Sequence, residues 1–220
     1  MSCCSHCRDA GDFFNLKTAR RELRHFKKRG PIKSTRLLVD ALKSRDIRNA
    51  YLLDIGGGVG IIQHELFGRG IAGATQVDAS MAYIEVSGEE AKVNGYGDRV
   101  NYRFGDFVDL APELSEADIT TLDRVICCYP DMPELVRQST SKTRCWYGAV
   151  YPVDRWYTRW GVRVVNLYFK LTGSDFRVYV HSEAEIDRII REAEFKQQQH
   201  TRTLIWNITL YERTTKSGLG

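Results

Sequence analysis

Apolar and polar positions along the chain follow two alternating periods. Tyr51, Leu52, Leu53 and Ile55 make a short apolar run of the kind that forms a buried strand. It ends in Gly56-Gly57-Gly58-Val59-Gly60, after which Ile61 to Phe67 reads as a helix. Gly73 to Asp78 predicts a second strand, Val100 to Phe104 a third, Asp118 to Leu122 a fourth and Arg144 to Tyr151 an apolar fifth. Met81 to Asn94 has helical spacing, and Asn94-Gly95-Tyr96-Gly97 turns the chain back. Glu183 to Ala193 predicts a further helix, and Lys196 to Leu204 with Ile205 to Tyr211 a closing hairpin. Strands that alternate with helices imply an α/β fold with both faces of the sheet covered. Seven mostly parallel strands are expected, the last antiparallel.

Before the first strand, Leu16, Ala19, Leu23 and Phe26 recur at helical spacing, so a helix is expected from Asp12, a candidate N-cap, to the stop at Gly30-Pro31. Its other face and its last turn hold Arg20, Arg21, Arg24, Lys27, Lys28 and Arg29. Cations in a last turn are favoured by the helix dipole, so a solvated basic face accounts for them. A second helix, Thr35 to Lys43, leads into the first strand. The expected organisation is a Cys-containing tail and helical cover over 1–47, a main domain over 48–213 and a flexible tail over 214–220. Between 154 and 171, Trp156, Trp160, Val164, Leu167 and Leu171 share one helical face, with Arg155, Arg159, Arg163 and Lys170 elsewhere. Two readings stay open: an amphipathic helix docked on the domain, or a lid or membrane-surface element over an apolar substrate.

At 220 residues and 43% apolar the chain can bury one full core, with no room for a second catalytic domain. A formal charge of +4 is too mild to indicate nucleic acid by itself. The absence of a membrane-length apolar run or a signal-peptide pattern gives a cytoplasmic expectation, and with it six reduced cysteines. Cys3-Cys4-Ser5-His6-Cys7 contains half the spacing of a zinc site but no second half, so no metal is assigned.

The glycines at 56, 58 and 60 let the backbone take positive φ and pass close to a ligand. The third glycine of a dinucleotide-binding GxGxxG would fall at 61, where the chain has Ile61, and no Gly-Lys-Ser or Gly-Lys-Thr follows as in a phosphate-binding Walker loop. Asp78 ends the second strand, where a carboxylate can accept hydrogen bonds from both hydroxyls of a ribose. Asp106 and Phe107 follow the third strand, where a carboxylate and a ring can hold an adenine. With these three strand ends in order, the chain resembles the class I S-adenosylmethionine-dependent methyltransferases over roughly residues 48–212. That resemblance implies a Rossmann-like sheet with S-adenosyl-L-methionine as cofactor. Asp54 would lie near its methionine end, Gly56, Gly58 and Gly60 beneath it, Asp78 at the ribose, and Asp106 with Phe107 at the adenine.

In open α/β sheets ligands bind at the carboxyl ends of the strands, which directs attention to Asp123 through Asp131 after the fourth strand. Many small-molecule methyltransferases have a His-His pair where this chain has Cys127-Cys128. Tyr129, Asp131, Asp123 and His181 are therefore the candidate catalytic groups, with His64 as another possible base. The expected function is methyl transfer to a small apolar or aromatic molecule, with O-methylation of a carboxylate or hydroxyl as one form. The alternatives are a non-catalytic S-adenosylmethionine-binding sensor or scaffold and a nucleic-acid methyltransferase. The last is disfavoured, because the fourth strand lacks an Asn-Pro-Pro-Tyr type of motif. The basic first helix and the aromatic later one make the chain loosely similar to magnesium-protoporphyrin O-methyltransferases. The whole-chain pattern, including Cys-Cys-Tyr-Pro-Asp-Met, looks like that of bacterial stand-alone methyltransferases of unassigned substrate.

Overall fold

A computed structural model describes residues 15–214. The cysteine cluster at Cys3 to Cys7, Asp12 and most of the expected C-terminal tail lie outside the described residues. Among the described residues, seven strands form one sheet: β1 (Tyr51–Ile55), β2 (Gly73–Asp78), β3 (Val100–Phe104), β4 (Ala117–Asp123), β5 (Thr143–Pro152), β6 (Phe195–Arg202) and β7 (Trp206–Arg213). Their spatial order is β3-β2-β1-β4-β5-β7-β6. Only β7 runs against its neighbours, pairing antiparallel with both β5 and β6. β1 lies between β2 and β4, with Leu53 beside Thr75 on one side and Thr120 on the other.

Because successive side chains of a strand point to opposite faces, Leu52 and Leu53 feed two separate cores. Leu52 joins Leu38, Leu42, Ile62, Leu66 and Ile119. Leu53 joins Val77, Leu122, Leu135, Tyr147 and Ile186. This two-sided burial explains why the central strands read as apolar runs rather than as an alternating pattern.

The helices are α1 (Leu16–Arg29), α2 (Lys33–Lys43), α3 (Ile61–Phe67), α4 (Met81–Val93), α5 (Phe107–Leu110), α6 (Met132–Ser141), α7 (Trp156–Leu171) and α8 (Glu183–Glu192). The observed cap of α1 is Asn15, whose side chain accepts a hydrogen bond from Thr18 N at 3.2 Å. Gly30, at φ 73°, closes α1 with its N–H on the Phe26 carbonyl. Ala19 of α1 is fully buried against Val59, Ile61 and Tyr83, and Lys27 reaches Glu90 of α4 at 2.8 Å. α2 packs so closely on β5 that a Cβ at Gly148 would stand 2.7 Å from Leu38 Cδ1. The N-terminal cover is thus packed into the domain. Among the described residues, no helix is long and apolar enough to cross a membrane.

Candidate active site

The carboxyl ends of β1 to β4 open into a cavity of about 230 Å³. Asp54, near the end of β1, is buried. Its Oδ1 accepts the Thr121 hydroxyl at 2.7 Å, while Oδ2 has no hydrogen-bond partner among the described residues. Burial, opposed only in part by Thr121, pushes its pKa up to about 7. The glycine loop passes directly over this carboxylate, since a Cβ at Gly57 would lie 2.7 Å from Asp54 Oδ2.

Gly56 and Gly58 hold φ of 61° and 58°, the left-handed region that glycine enters without cost. Gly58 is anchored through both of its polar backbone groups. Its N–H donates to Asp78 Oδ2 at 2.9 Å, and its carbonyl accepts from Gln76 Nε2 at 2.7 Å. Behind the loop, Gln63, Gln76 and Ser87 close a ring of buried hydrogen bonds 2.6 to 3.1 Å long. Gly60 is the left-handed N-cap of α3, at φ 78°. A Cβ there would collide with Gln63 Nε2 and lie 2.5 Å from Ser87 Oγ. Gly60 is not among the residues that line the cavity, and it packs the turn against Gln63 and Ser87. Gly60→Ala is expected to cost about 2–4 kcal/mol of stability, from overpacking plus a strained φ. Thermal unfolding without ligand reads this directly, and an unchanged midpoint would refute it.

Asp78, half-buried at the end of β2, also accepts the Ser80 N–H at 2.8 Å. Burial outweighs its two backbone hydrogen bonds and pushes its pKa up to about 6. After β3, Asp106 caps α5 by accepting Val108 N–H at 2.9 Å, and the adjoining Phe107 ring is buried. The Tyr129 hydroxyl donates to the same carboxylate, 3.0 and 3.1 Å from its two oxygens. Beyond β4, Asp123 Oδ2 accepts the Thr35 hydroxyl at 2.5 Å, and Arg124 turns the chain at φ 63°.

Asp54, Gly56, Gly58, Asp78, Asp106, Phe107, Asp123 and Tyr129 therefore line one cavity. Two candidate catalytic groups do not. Asp131 is exposed and caps α6, accepting Glu134 N–H at 3.2 Å. His181 is held outside the cavity wall with Nε2 3.0 Å from the Tyr129 carbonyl oxygen, and burial lowers its pKa. His64 is also remote, stacked on Phe26 at 5.8 Å with Nε2 3.1 Å from the Val59 carbonyl oxygen. Cys127 and Cys128, with Sγ atoms 3.8 Å apart, both point at the Arg124 carbonyl, and Cys128 reaches the cavity wall.

Other lining groups carried no sequence signal of their own. Glu22, from α1, accepts the Tyr83 hydroxyl at 2.9 Å and lies 3.9 Å from Arg124. Burial and Glu22 push the Tyr83 phenol well up, so it remains a donor. Phe176, from the segment after α7, closes another side.

Several solved structures share this architecture. A magnesium protoporphyrin IX methyltransferase (ChlM) from Synechocystis, with bound SAH, superposes at a TM-score of 0.72 with 19% identity, over 96% of this chain and 100% of that one. The chain has the class I methyltransferase fold. An O-methyltransferase family 2 protein from Planctomyces limnophilus, in complex with apigenin, matches this fold at a TM-score of 0.64 and 20% identity, covering 90% of this chain and 61% of that one. The cyclase SpnF shares the methyltransferase fold as well, at a TM-score of 0.61 and 13% identity, over 81% of this chain and 80% of that one. No family model and no curated protein sequence matches. With a cyclase among the neighbours, the methyltransferase fold alone does not set the reaction.

Proposed function

We propose that the chain is an S-adenosylmethionine-dependent methyltransferase that acts on a small apolar or aromatic acceptor. The observation that carries this reading is the convergence of Asp54, Asp78 and Asp106 on one cavity beneath the glycine loop. The donor set fits the cofactor. Asp54 Oδ2 is a buried acceptor without a partner among the described residues, suited to the cationic methionine end. Asp78 stands at the end of β2 beside the Gly58 and Ser80 amides, where a ribose would be held. Asp106 and Phe107 supply a carboxylate and an apolar ring for an adenine. When bound, S-adenosylmethionine supplies a methyl group already activated by its sulfonium.

What remains for the protein is to orient the acceptor and exclude water. The Tyr129 hydroxyl is fixed by Asp106, and Tyr129 lines the cavity. Arg124, the one cation among the described lining residues, is already paired with Asp123 and Glu22, and no histidine is among them. This arrangement favours an acceptor that is already ionised, a carboxylate above all, because it needs orientation rather than a strong general base. A carboxylate on an aromatic body would also suit the cavity's Phe107 and Phe176 walls.

Calorimetry is expected to show binding of S-adenosylmethionine and none of NAD, and preferential NAD binding would overturn the reading. Incubation with isotopically labelled S-adenosylmethionine and a panel of aromatic acids and phenols should then label the acids. Intact cofactor binding with no transfer to any acid would remove the carboxylate assignment.

A further inference from the structure

α7 is buried along a narrow strip that includes Thr158 and Phe169. At 3.6 residues per turn, Trp156, Trp160, Val164, Leu167, Tyr168 and Leu171 fall on another face, and all of them are exposed, Trp156 by 79% and Leu171 by 77%. The tip of the β6–β7 hairpin extends the patch. The Tyr157 hydroxyl donates to the Leu204 carbonyl at 2.8 Å, and the Leu204 and Ile205 side chains are themselves 75% and 49% exposed. Exposed apolar side chains scattered singly need no explanation, but a continuous stripe over four turns does.

One margin of the stripe is basic. Arg159, Arg163 and Lys170 follow one another along it, and the helix contains no acidic residue. Arg159 is paired with Asp154 at 2.6 Å, whereas Arg163 and Lys170 have no ion pair among the described residues. A helix with Trp, Tyr and Leu on one face and cations along its edge matches the headgroup and acyl boundary of a bilayer, where the rings enter the interface and the cations meet phosphates. A second copy of the same face would bring no carboxylate of its own helix to meet these cations. Anionic headgroups do so directly.

We propose that α7 docks the protein on an anionic lipid bilayer, lying in the plane of the interface with its Trp156-to-Leu171 stripe toward the acyl chains. The docked face is close to the cavity. Phe169, on the inner side of α7, packs edge-on against Phe176 at 5.5 Å, and Phe176 lines the cavity. Docking therefore holds one apolar wall of the cavity within about one helix diameter of the lipid. The proposal stands on the surface of α7 and does not require the cofactor assignment.

The test is flotation of the full chain with vesicles of phosphatidylcholine alone and of phosphatidylcholine doped with phosphatidylserine. The protein is expected to float with the anionic vesicles, with a blue shift in tryptophan emission, and to dissociate as salt is raised. Trp160→Glu with Leu167→Glu should reduce partitioning by at least about tenfold, and Arg163→Gln with Lys170→Gln by roughly fivefold for each charge removed. Unchanged thermal unfolding and unchanged S-adenosylmethionine binding would show that the variants are folded. Failure of the native chain to float, or equal flotation of both variants, would overturn the proposal. So would a dimer in solution that the two glutamates dissociate, because the stripe would then belong to a second copy.

Discussion

Asp78→Ala is expected to weaken S-adenosylmethionine binding by about 1–3 kcal/mol, on the order of ten- to a hundredfold in Kd, as measured by calorimetry. The partner proposed for this carboxylate is the pair of ribose hydroxyls, and hydrogen bonds to an ionised acceptor in a sheltered site are the strong kind. The same side chain also holds the Gly58 and Ser80 amides, so alanine loosens the loop as well as removing the acceptor. Asp78→Asn separates the two effects, because it keeps a neutral acceptor oxygen for one of those amides. If the charge matters, the asparagine variant stays weak; full recovery would assign the loss to the loop alone. The raised pKa of about 6 adds a pH signature. Affinity should fall as pH drops through that value and the carboxylate takes up a proton, and Asp78→Ala should lack that fall. Unchanged affinity in Asp78→Ala would remove this residue from the ligand altogether.

Asp54→Asn is expected to act on stability and on binding in opposite directions. An unfolded aspartate titrates near 4, whereas burial pushes Asp54 up to about 7 in the fold. Between those values the folded chain binds more protons than the unfolded one, so the contribution of Asp54 to stability falls as pH rises through that window. It is full below the unfolded pKa and lost above the folded one. Asparagine carries no charge to bury and still offers Thr121 an oxygen to donate to. The ligand-free variant should therefore be more stable than the native chain by about 1–2 kcal/mol at pH 8, a difference that fades towards pH 4. Its affinity for the cationic cofactor should drop at the same time. Thermal unfolding at several pH values gives the first quantity and calorimetry the second. A stability difference that does not change with pH would mean that Asp54 is not a buried charge held for a ligand.

The sequence made the strands legible where burial was two-sided. Tyr51 to Ile55 and Gly73 to Asp78 have the observed limits of β1 and β2, whereas Val100 to Phe104, an edge strand with no fully buried residue, is legible instead from Gly105, which ends it. Ile61 to Phe67 was equally clear, because a helix must begin where the glycines stop. Asp131 has a local role that the sequence also marks, as the cap of α6. Asp131-Met-Pro-Glu134 has an N-cap residue, a proline in the first turn and an acid three residues on, which marks the start of a helix without reference to any site.

Glu22, Arg124 and Phe176 were not legible in the same way. They come from three distant segments, and only the packing of α1 on α4, the left-handed turn at Arg124 and the strap after α7 bring them to one cavity. Left-handed backbone at a non-glycine residue leaves no mark in composition or periodicity. His181 was a plausible base in the sequence, but the strap that carries it is tied down by Tyr179 N–H on the Cys127 carbonyl at 2.7 Å and by Asn166 on both polar backbone groups of Val178 at 2.8 Å. The imidazole is thereby committed to the Tyr129 carbonyl.

The anchoring of Gly58 settles when the entropy of the loop is lost. Glycine surrenders more backbone freedom than any other residue when it is ordered, and a floppy triglycine would surrender it on meeting a ligand. Here Asp78 and Gln76 grip the Gly58 peptide groups from behind, and the Gln63, Gln76 and Ser87 ring holds the base of the turn. That freedom is spent when the chain folds, so a nucleoside arriving at the cavity meets a surface that is already set.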